Sequence, residues 1–163
     1  MADRTGTYYA AEGAIHGYGA QLLVGDGASP ETFEAIAGIV SIRPGEMSTE
    51  DIKRTHLRSP DAHHEHMPGL RDSGPFEVTG VWLPTEQSLS NAGGGSGAFA
   101  SGGLIALWRG RALHNFKIVL AGGTEWPFRG YVSKFQPGEI GNADKIDFTA
   151  GFQPSEAYDA DLP

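Results

Sequence analysis

Apolar residues recur at every second position in several short stretches of the chain, and this alternation predicts a mainly β fold. In FEVTGVWLP, Phe76, Val78 and Trp82 fall on one face of an extended chain. NFKIVL and KIDFTAGF repeat the pattern, and AQLLVGDG and FRGYVSKF complete a set of about six strands, typical of a small β-barrel or a sandwich of two packed antiparallel sheets. The residues predicted for the core are Phe76, Val78, Trp82, Leu104, Trp108, Phe116, Ile118, Leu120, Ile146 and Phe148.

Two stretches depart from clean alternation. SGGLIALWRGR spaces its apolar residues as i, i+1, i+3 and i+4, with Ser101 placed to cap the start and Gly110 to suit the end, and this predicts one short α-helix. In TFEAIAGIVSI, residues 32–42, apolar side chains point both ways. That pattern predicts a strand that is covered on both faces.

The remaining segments show no regular period. Residues 43–74 are predicted to form a long loop between strands, and such a loop in a small domain tends to be functional or to be ordered by a partner. Residues 88–101 predict a flexible glycine-rich loop, whose glycine run lacks the lysine of a phosphate-binding loop. Residues 154–163 form an acidic tail. We interpret residues 1–163 as a single domain.

Composition excludes several classes of function. The chain has 12 Lys and Arg against 20 Asp and Glu, a net charge of −8, which opposes the gripping of a nucleic-acid backbone. It has no cysteine, so disulfides and thiolate metal sites are excluded. No apolar run approaches the length needed to cross a bilayer, and the N-terminus lacks the apolar region of a signal peptide, so we expect cytosolic synthesis without membrane contact.

The stretch HHEHMPGLRDSG is the strongest candidate for chemistry. His63, His64 and His66 are weak candidates for metal ligands. His64 and His66 form the HxH pair of a cupin-like metalloenzyme, but Leu70 and Arg71 occupy the positions where a cupin places its glutamate. Clustered histidines on a loop also lack the rigid surroundings that metals require. The favoured interpretation is a solvated or interfacial loop without catalysis or cofactor, and the cupin-like enzyme is kept as an alternative.

The order of the motifs resembles that of the tail tube proteins of long-tailed, lambda-type siphophages, a fold shared with contractile-tail tubes and type VI secretion tubes. The resemblance covers residues 20–155 and includes the turn Pro68-Gly69-Leu70 and the closing pair Phe148-Thr149. Ser155-Glu156 departs from the Ser-Gly of many relatives. The motifs, in chain order, are PETFEAIAGIVSI, HMPGLRDSG, PFEVTGVW, NFKIVL and FRGYVSKFQPGEIGNADKIDFTAGFQPS.

The resemblance implies a structural virion protein rather than an enzyme. It implies the major tail tube subunit of a virion tail, assembled in the host cytoplasm into stacked hexameric rings. Its partners would be further copies of itself, a tape-measure protein, a tail terminator and a distal tail protein. The net negative charge would give an acidic lumen that repels DNA in transit. Predicted contacts between subunits and rings are Met47, Ile52, Leu57, His66, Met67, Pro68, Leu70 and Arg71.

Two alternatives share part of this reasoning. A type VI secretion system, a tailocin or a gene transfer agent would use the same ring for a different payload. The cupin-like metalloenzyme would instead bind a metal through His64 and His66.

Overall fold

The computed structural model describes residues 17–56, 63–83, 85–86, 88–89, 97–100, 102–140 and 145–155. Leu57, Ser101, most of the glycine-rich loop and residues 156–163 of the acidic tail lie outside this part of the chain. Within it, no helix is long and apolar enough to cross a membrane. The strands are β1 (Gln21–Gly25), β2 (Phe33–Ala35), β3 (Ile39–Arg43), β4 (Met47–Lys53), β5 (His66–Ser73), β6 (Phe76–Val81), β7 (His114–Val119), β8 (Glu125–Pro137) and β9 (Asp147–Pro154); the helices are a 3-10 turn (Gly97–Phe99) and α1 (Leu104–Gly110).

Seven of these strands form one antiparallel sheet in the order β2-β1-β7-β8-β9-β6-β3, and β4 pairs with β5 in a second sheet. Laid flat, the edges of a seven-stranded sheet would lie roughly 29 Å apart. Only residues 36–38 join the two edge strands β2 and β3, which limits their separation to about 14 Å. The sheet is therefore strongly curled. The expectation of a mainly β fold with two antiparallel sheets and a short helix is confirmed, although the strands do not close into a barrel.

The core fills the concave side of the curled sheet. The rings of Phe116 and Phe152 meet at 5.2 Å although β8 separates their strands, whereas two strand spacings in a flat sheet span about 9.6 Å. Of the residues predicted for the core, Trp82 and Leu120 are half-buried against this cluster, and Ile146 is half-buried. The predicted residues that are buried are Phe76, Val78, Leu104, Phe116, Ile118 and Phe148.

Helix α1 forms where it was predicted, but the assignment of Trp108 to the core is wrong. Leu104 and Leu107 are buried, while Trp108 in the last turn is 44% exposed. The reason is that only the first turns of this seven-residue helix cover the core, and its last turn passes beyond it. The helix begins after Gly103 without a side-chain cap and ends at Arg111, which adopts a left-handed conformation with φ of 52°.

The single strand predicted for residues 32–42 is two strands. Gly38, with φ of 75°, turns the chain between them, and a β carbon there would lie 2.6 Å from the carbonyl oxygen of Val81. β2 pairs with β1, whereas β3 pairs with β6 at the opposite edge of the sheet. Apolar residues point both ways along this stretch because the two strands belong to different parts of the curled sheet.

The segment of residues 43–74 lies between β3 and β6 as predicted, but it is not irregular. It contains the β4–β5 hairpin, in which every residue of β4 is exposed. No face of β4 is buried, so nothing requires its residues to alternate between apolar and polar. The sequence therefore shows no period-two pattern there. The prediction of a flexible loop over residues 88–101 is wrong at Leu89 and Phe99, because both side chains belong to the core.

Candidate assembly interface

The β4–β5 hairpin is set off from the large sheet by glycine and proline. Pro44-Gly45 leads into it and Gly74-Pro75 leads out of it, so neither chain can donate a backbone hydrogen bond at its proline. The Gly74 amide donates to the Glu46 carbonyl oxygen at 2.9 Å and closes the base of the hairpin. A β carbon on Gly45 would lie 2.0 Å from the Gly74 carbonyl oxygen, so the two chains approach too closely there for any side chain at this position.

The hairpin carries exposed apolar side chains. Ile52 and Met67 are register partners on one face, and Met47, an odd number of residues from Ile52 on β4, lies on the other; these side chains are 37%, 42% and 61% exposed. Gly69 leaves room for Ile52, since a β carbon on it would lie 2.9 Å from the Ile52 Cδ1 atom. Leu70 lies at the bulge of β5 and is 80% exposed. Exposed apolar side chains grouped on one hairpin make it a candidate surface for contact with another protein.

The hairpin therefore brings together most of the residues predicted from sequence for subunit contacts. It places Met47, Ile52, His66, Met67, Pro68, Leu70 and Arg71 on two paired strands, all of them exposed. Leu57 lies outside the described residues. Sequence reasoning grouped these residues in one segment but did not predict that a strand pairing holds them, and their role as contacts stays a prediction.

The histidines of this segment contact different partners. The Nδ1 atom of His66 lies 2.7 Å from Asp51 Oδ2, across the two strands, and the Nδ1 atom of His64 lies 3.2 Å from Thr55 Oγ1. His63 is exposed. Among the residues that the structure describes, no three histidine, aspartate or glutamate side chains are grouped so that they could hold a metal ion. The polar contacts described for the hairpin instead link its two strands, as cross-strand pairs do.

Two backbone edges of the large sheet form a second candidate surface, which the sequence did not predict. β7 pairs with β8 only over residues 125–130, so the next seven residues of β8 have β9 on one side and no described strand on the other. β3 likewise pairs with β6 alone. The short strand β2 contacts the 3-10 turn, which shields it. β8, β9, β6 and β3 thus form a four-stranded unit with two free edges.

Both free edges carry exposed apolar side chains. On β3, Val40 is 65% exposed. Beside the β8 edge, Trp108 and Tyr131 line a surface cleft of about 490 Å³, and both rings are more than a third exposed. The cleft is also lined by Arg109, Arg111, Val132 and Ser133. Aromatic and arginine side chains are enriched at protein interfaces, so the cleft is suited to covering by another subunit.

An exposed apolar hairpin and two free strand edges are the features of a structural subunit that assembles with other copies through its β strands. The chain belongs to the lambda phage tail tube protein (TTP) family, whose model matches residues 18–150. It is thus a structural tail tube subunit, a component of a particle's tail.

Solved structures with the same fold come from several tailed particles. A chain of the virion of a native gene transfer agent superposes with a TM-score of 0.63 at 13% identity, covering 88% of this chain and 96% of that one. A chain of the tail of an empty gene transfer agent particle, refined with C6 symmetry, gives 0.57 at 14% identity, covering 83% and 92%. The sheath/tube terminator structure of an extracellular contractile injection system, PVC, gives 0.60 at 16% identity, covering 90% and 96%. No curated protein sequence matches the chain.

Proposed function

We propose that six copies of the chain form a ring by pairing the free edge of β3 with the free edge of β8 in the next copy. The four-stranded unit is antiparallel throughout, so β3 and β8 run in opposite directions at its two ends. A neighbour added in the same orientation therefore continues the antiparallel ladder. Repeated addition of this kind is a head-to-tail contact, which closes into a ring when the rotation between copies permits.

The number six rests on likeness to the gene transfer agent tail that was refined with C6 symmetry. Four strands from each of six subunits give 24 strands, and their spacing sets a barrel roughly 37 Å across between backbones. Barrels of 16–18 strands already enclose an aqueous channel. A ring of this size has a bore through which duplex DNA passes.

The β4–β5 hairpin joins successive rings in this proposal. The single observation that carries it is the exposure of the apolar side chains Met47, Ile52 and Met67 on a hairpin whose first strand is fully exposed. The rings enclose a tape-measure protein during assembly in the host cytoplasm, and a tail terminator and a distal tail protein close the two ends. The subunit itself carries out no catalysis and needs no cofactor or membrane.

The family match favours a siphophage tail as the setting. The fold is equally that of gene transfer agent and contractile injection particles, so the payload is decided by genomic context. Neighbouring genes for a tape-measure protein, a terminase and a capsid protein support the phage. Sheath or effector genes in their place support an injection system.

Replacing the hairpin tests its role in stacking. The Glu46 carbonyl and the Gly74 amide are already hydrogen-bonded, so residues 47–73 can be replaced by an Asn-Gly turn without moving the large sheet. We expect the variant to unfold at nearly the same temperature as the wild type, because the hairpin contributes nothing to the core. We expect it to form single rings, or none, where the wild type forms tubes in negative-stain electron microscopy.

Tubes of normal length formed by the hairpin-less variant would contradict the stacking role. Metal analysis of the purified wild type addresses the cupin-like alternative separately. Stoichiometric metal that is lost in His64→Ala/His66→Ala would favour the enzyme over the tube subunit.

A further inference from the structure

The four-stranded unit has one face that is not used by the core. β9 directs Phe148, Ala150 and Phe152 inward, so Asp147, Thr149 and Gly151 point the other way. In a closed ring the concave side of each subunit, which carries α1, β1 and β7, has to lie outside the barrel. The face opposite to the core then lines the bore. This assignment rests on the ring proposed above.

The register places the outward residues of the four strands in two rows. In one row Ser41 lies opposite Thr79, Thr79 opposite Thr149, and Thr149 opposite Gln136. The row therefore crosses all four strands without a charged side chain. The Ser41 and Thr79 hydroxyls are hydrogen-bonded at 2.8 Å, as expected for side chains that share a face.

The second row contains charges of both signs. Arg43 lies opposite Glu77, Glu77 opposite Gly151, and Gly151 opposite Lys134. Lys134 belongs to this face although β8 has a bulge before it, because a β carbon on Gly151 would lie 3.2 Å from the Lys134 Cβ atom. The row therefore contains two cations, Arg43 and Lys134, with the acid Glu77 and a glycine between them.

The charges on this face cancel. In the four strands Arg43 and Lys134 balance Glu77 and Asp147, and Glu125 and Arg129 balance each other on the part of β8 that pairs with β7. Lys145 lies next to the face with its Nζ 3.6 Å from Asp147 Oδ1. The whole chain, by contrast, carries a net charge of −8. The charged residues of these four strands therefore do not contribute to that excess of acids. The acidic lumen expected from the composition does not match the side chains that the strands place here.

We propose that this face is a charge-compensated lining along which duplex DNA slides, with a ring of hydroxyl and amide groups from Ser41, Thr79, Gln136 and Thr149 as its uncharged band. Each hydroxyl or amide hydrogen-bonds to water and contributes no fixed charge to a passing phosphate. Cations paired with acids release few counterions to DNA, so binding is weak and depends little on salt. DNA is held in the bore neither by attraction nor by repulsion.

A thiol introduced on this face first tests whether the face lines the bore. The chain has no cysteine, so Gln136→Cys gives a unique thiol at an exposed position. In assembled tubes we expect a small maleimide to label it and a maleimide carried on a large polymer to be excluded. The same substitution in the hairpin-less subunit should react with both reagents. Equal labelling by the large reagent in intact tubes would overturn the assignment of this face, whereas failure to form tubes would overturn the ring itself.

Neutralising the acids of the face tests the charge compensation. Glu77→Gln/Asp147→Asn leaves Arg43, Lys134 and the neighbouring Lys145 without the acids of this face in each subunit, and both sites are exposed, so the fold should tolerate the change. We expect tubes of this variant to retain fluorescent duplex DNA about tenfold better than wild-type tubes in a sedimentation assay, with the gain lost as salt rises.

The matched control is Glu86→Gln/Glu125→Gln, which changes the net charge equally through exposed acids outside the two rows; Glu125 lies on the part of β8 that pairs with β7. It should bind DNA as the wild type does. Equal retention by the two variants would refute the compensated lining, as would wild-type tubes whose DNA retention falls steeply with salt.

Discussion

His114 is the described titratable side chain whose pKa is shifted by burial. Its ring is half-buried and lies edge-on to Phe116, with 6.4 Å between centroids. Loss of hydration there disfavours the imidazolium and lowers the pKa of His114 below its ordinary value of 6.5. The folded protein therefore binds a proton at this site less readily than the unfolded chain does.

This shift predicts a pH dependence of stability near neutrality. Below pH 6.5 the unfolded chain takes up a proton that folded His114 resists, so the free energy of unfolding decreases as the pH falls through this range and levels off below the folded pKa. We expect His114→Gln to flatten the fall in melting temperature between about pH 7.5 and pH 5.5. An unchanged slope would show that burial does not lower the pKa of His114.

The carboxyl of Asp26 titrates outside this window. The hydroxyl and amide of Thr32 and the amide of Ala28 donate to Asp26 and hold the pKa of its carboxyl below the ordinary 3.8. Its contribution to stability is therefore retained until strongly acid pH. Asp26→Asn is a suitable control, because it should leave the slope between pH 7.5 and pH 5.5 as in the wild type.

At the scale of elements, the chain divides into strands that the core holds and a hairpin that it does not. Phe76 and Phe116 both pack against Phe152, and the alternation of apolar residues is visible in the sequence because burial requires it. Ile52 and Met67 pair across the hairpin with water on both faces. Their strands could not be predicted, since what orders them is the ladder of backbone bonds and not burial.

The exposed apolar pair of Ile52 and Met67 predicts separable effects on stability and assembly. Ile52→Ser/Met67→Ser removes side chains that contact solvent in the isolated subunit, so we expect the melting temperature of the subunit to change little. Tube length in electron microscopy should fall sharply, because the apolar contact between rings is lost. Thr49→Ser, on the face of β4 opposite to Ile52, is the matched control and should give tubes of normal length.

At the scale of the whole molecule, the curl of the large sheet produces both the core and the free edges. Bringing β2 and β3 within about 14 Å of each other encloses the phenylalanine cluster. β8 extends past the end of β7, and β3 has β6 as its only described strand partner, so two edges remain for neighbours. Trp108 is exposed beside one of these edges, which explains why an apolar helix stripe ends in a residue outside the core.

A charge on the β3 edge tests the joint within a ring. Val40 is 65% exposed at a bulge of this strand, so Val40→Lys should leave the free energy of unfolding within about 0.5 kcal/mol of the wild type. We expect it to prevent ring formation, measured by the mass of the species in solution, because lysine on an edge strand opposes further pairing. Ile140→Lys, at an even more exposed site, should still form rings. Rings formed equally by both variants would exclude β3 as the joint.

The sequence by itself determined the mainly β class, the short helix, most of the core, and the segment and residues proposed for contacts between rings. Period-two alternation and a few turn residues encode these features locally, in Phe76 and Val78 as in Pro68 and Gly69. Only the tertiary structure decided that residues 32–42 supply both edges of one sheet and that β8 extends past the end of β7. It also decided which charged residues share a face. These depend on strand order and register, and hydrogen bonds between residues far apart in the chain set both of them.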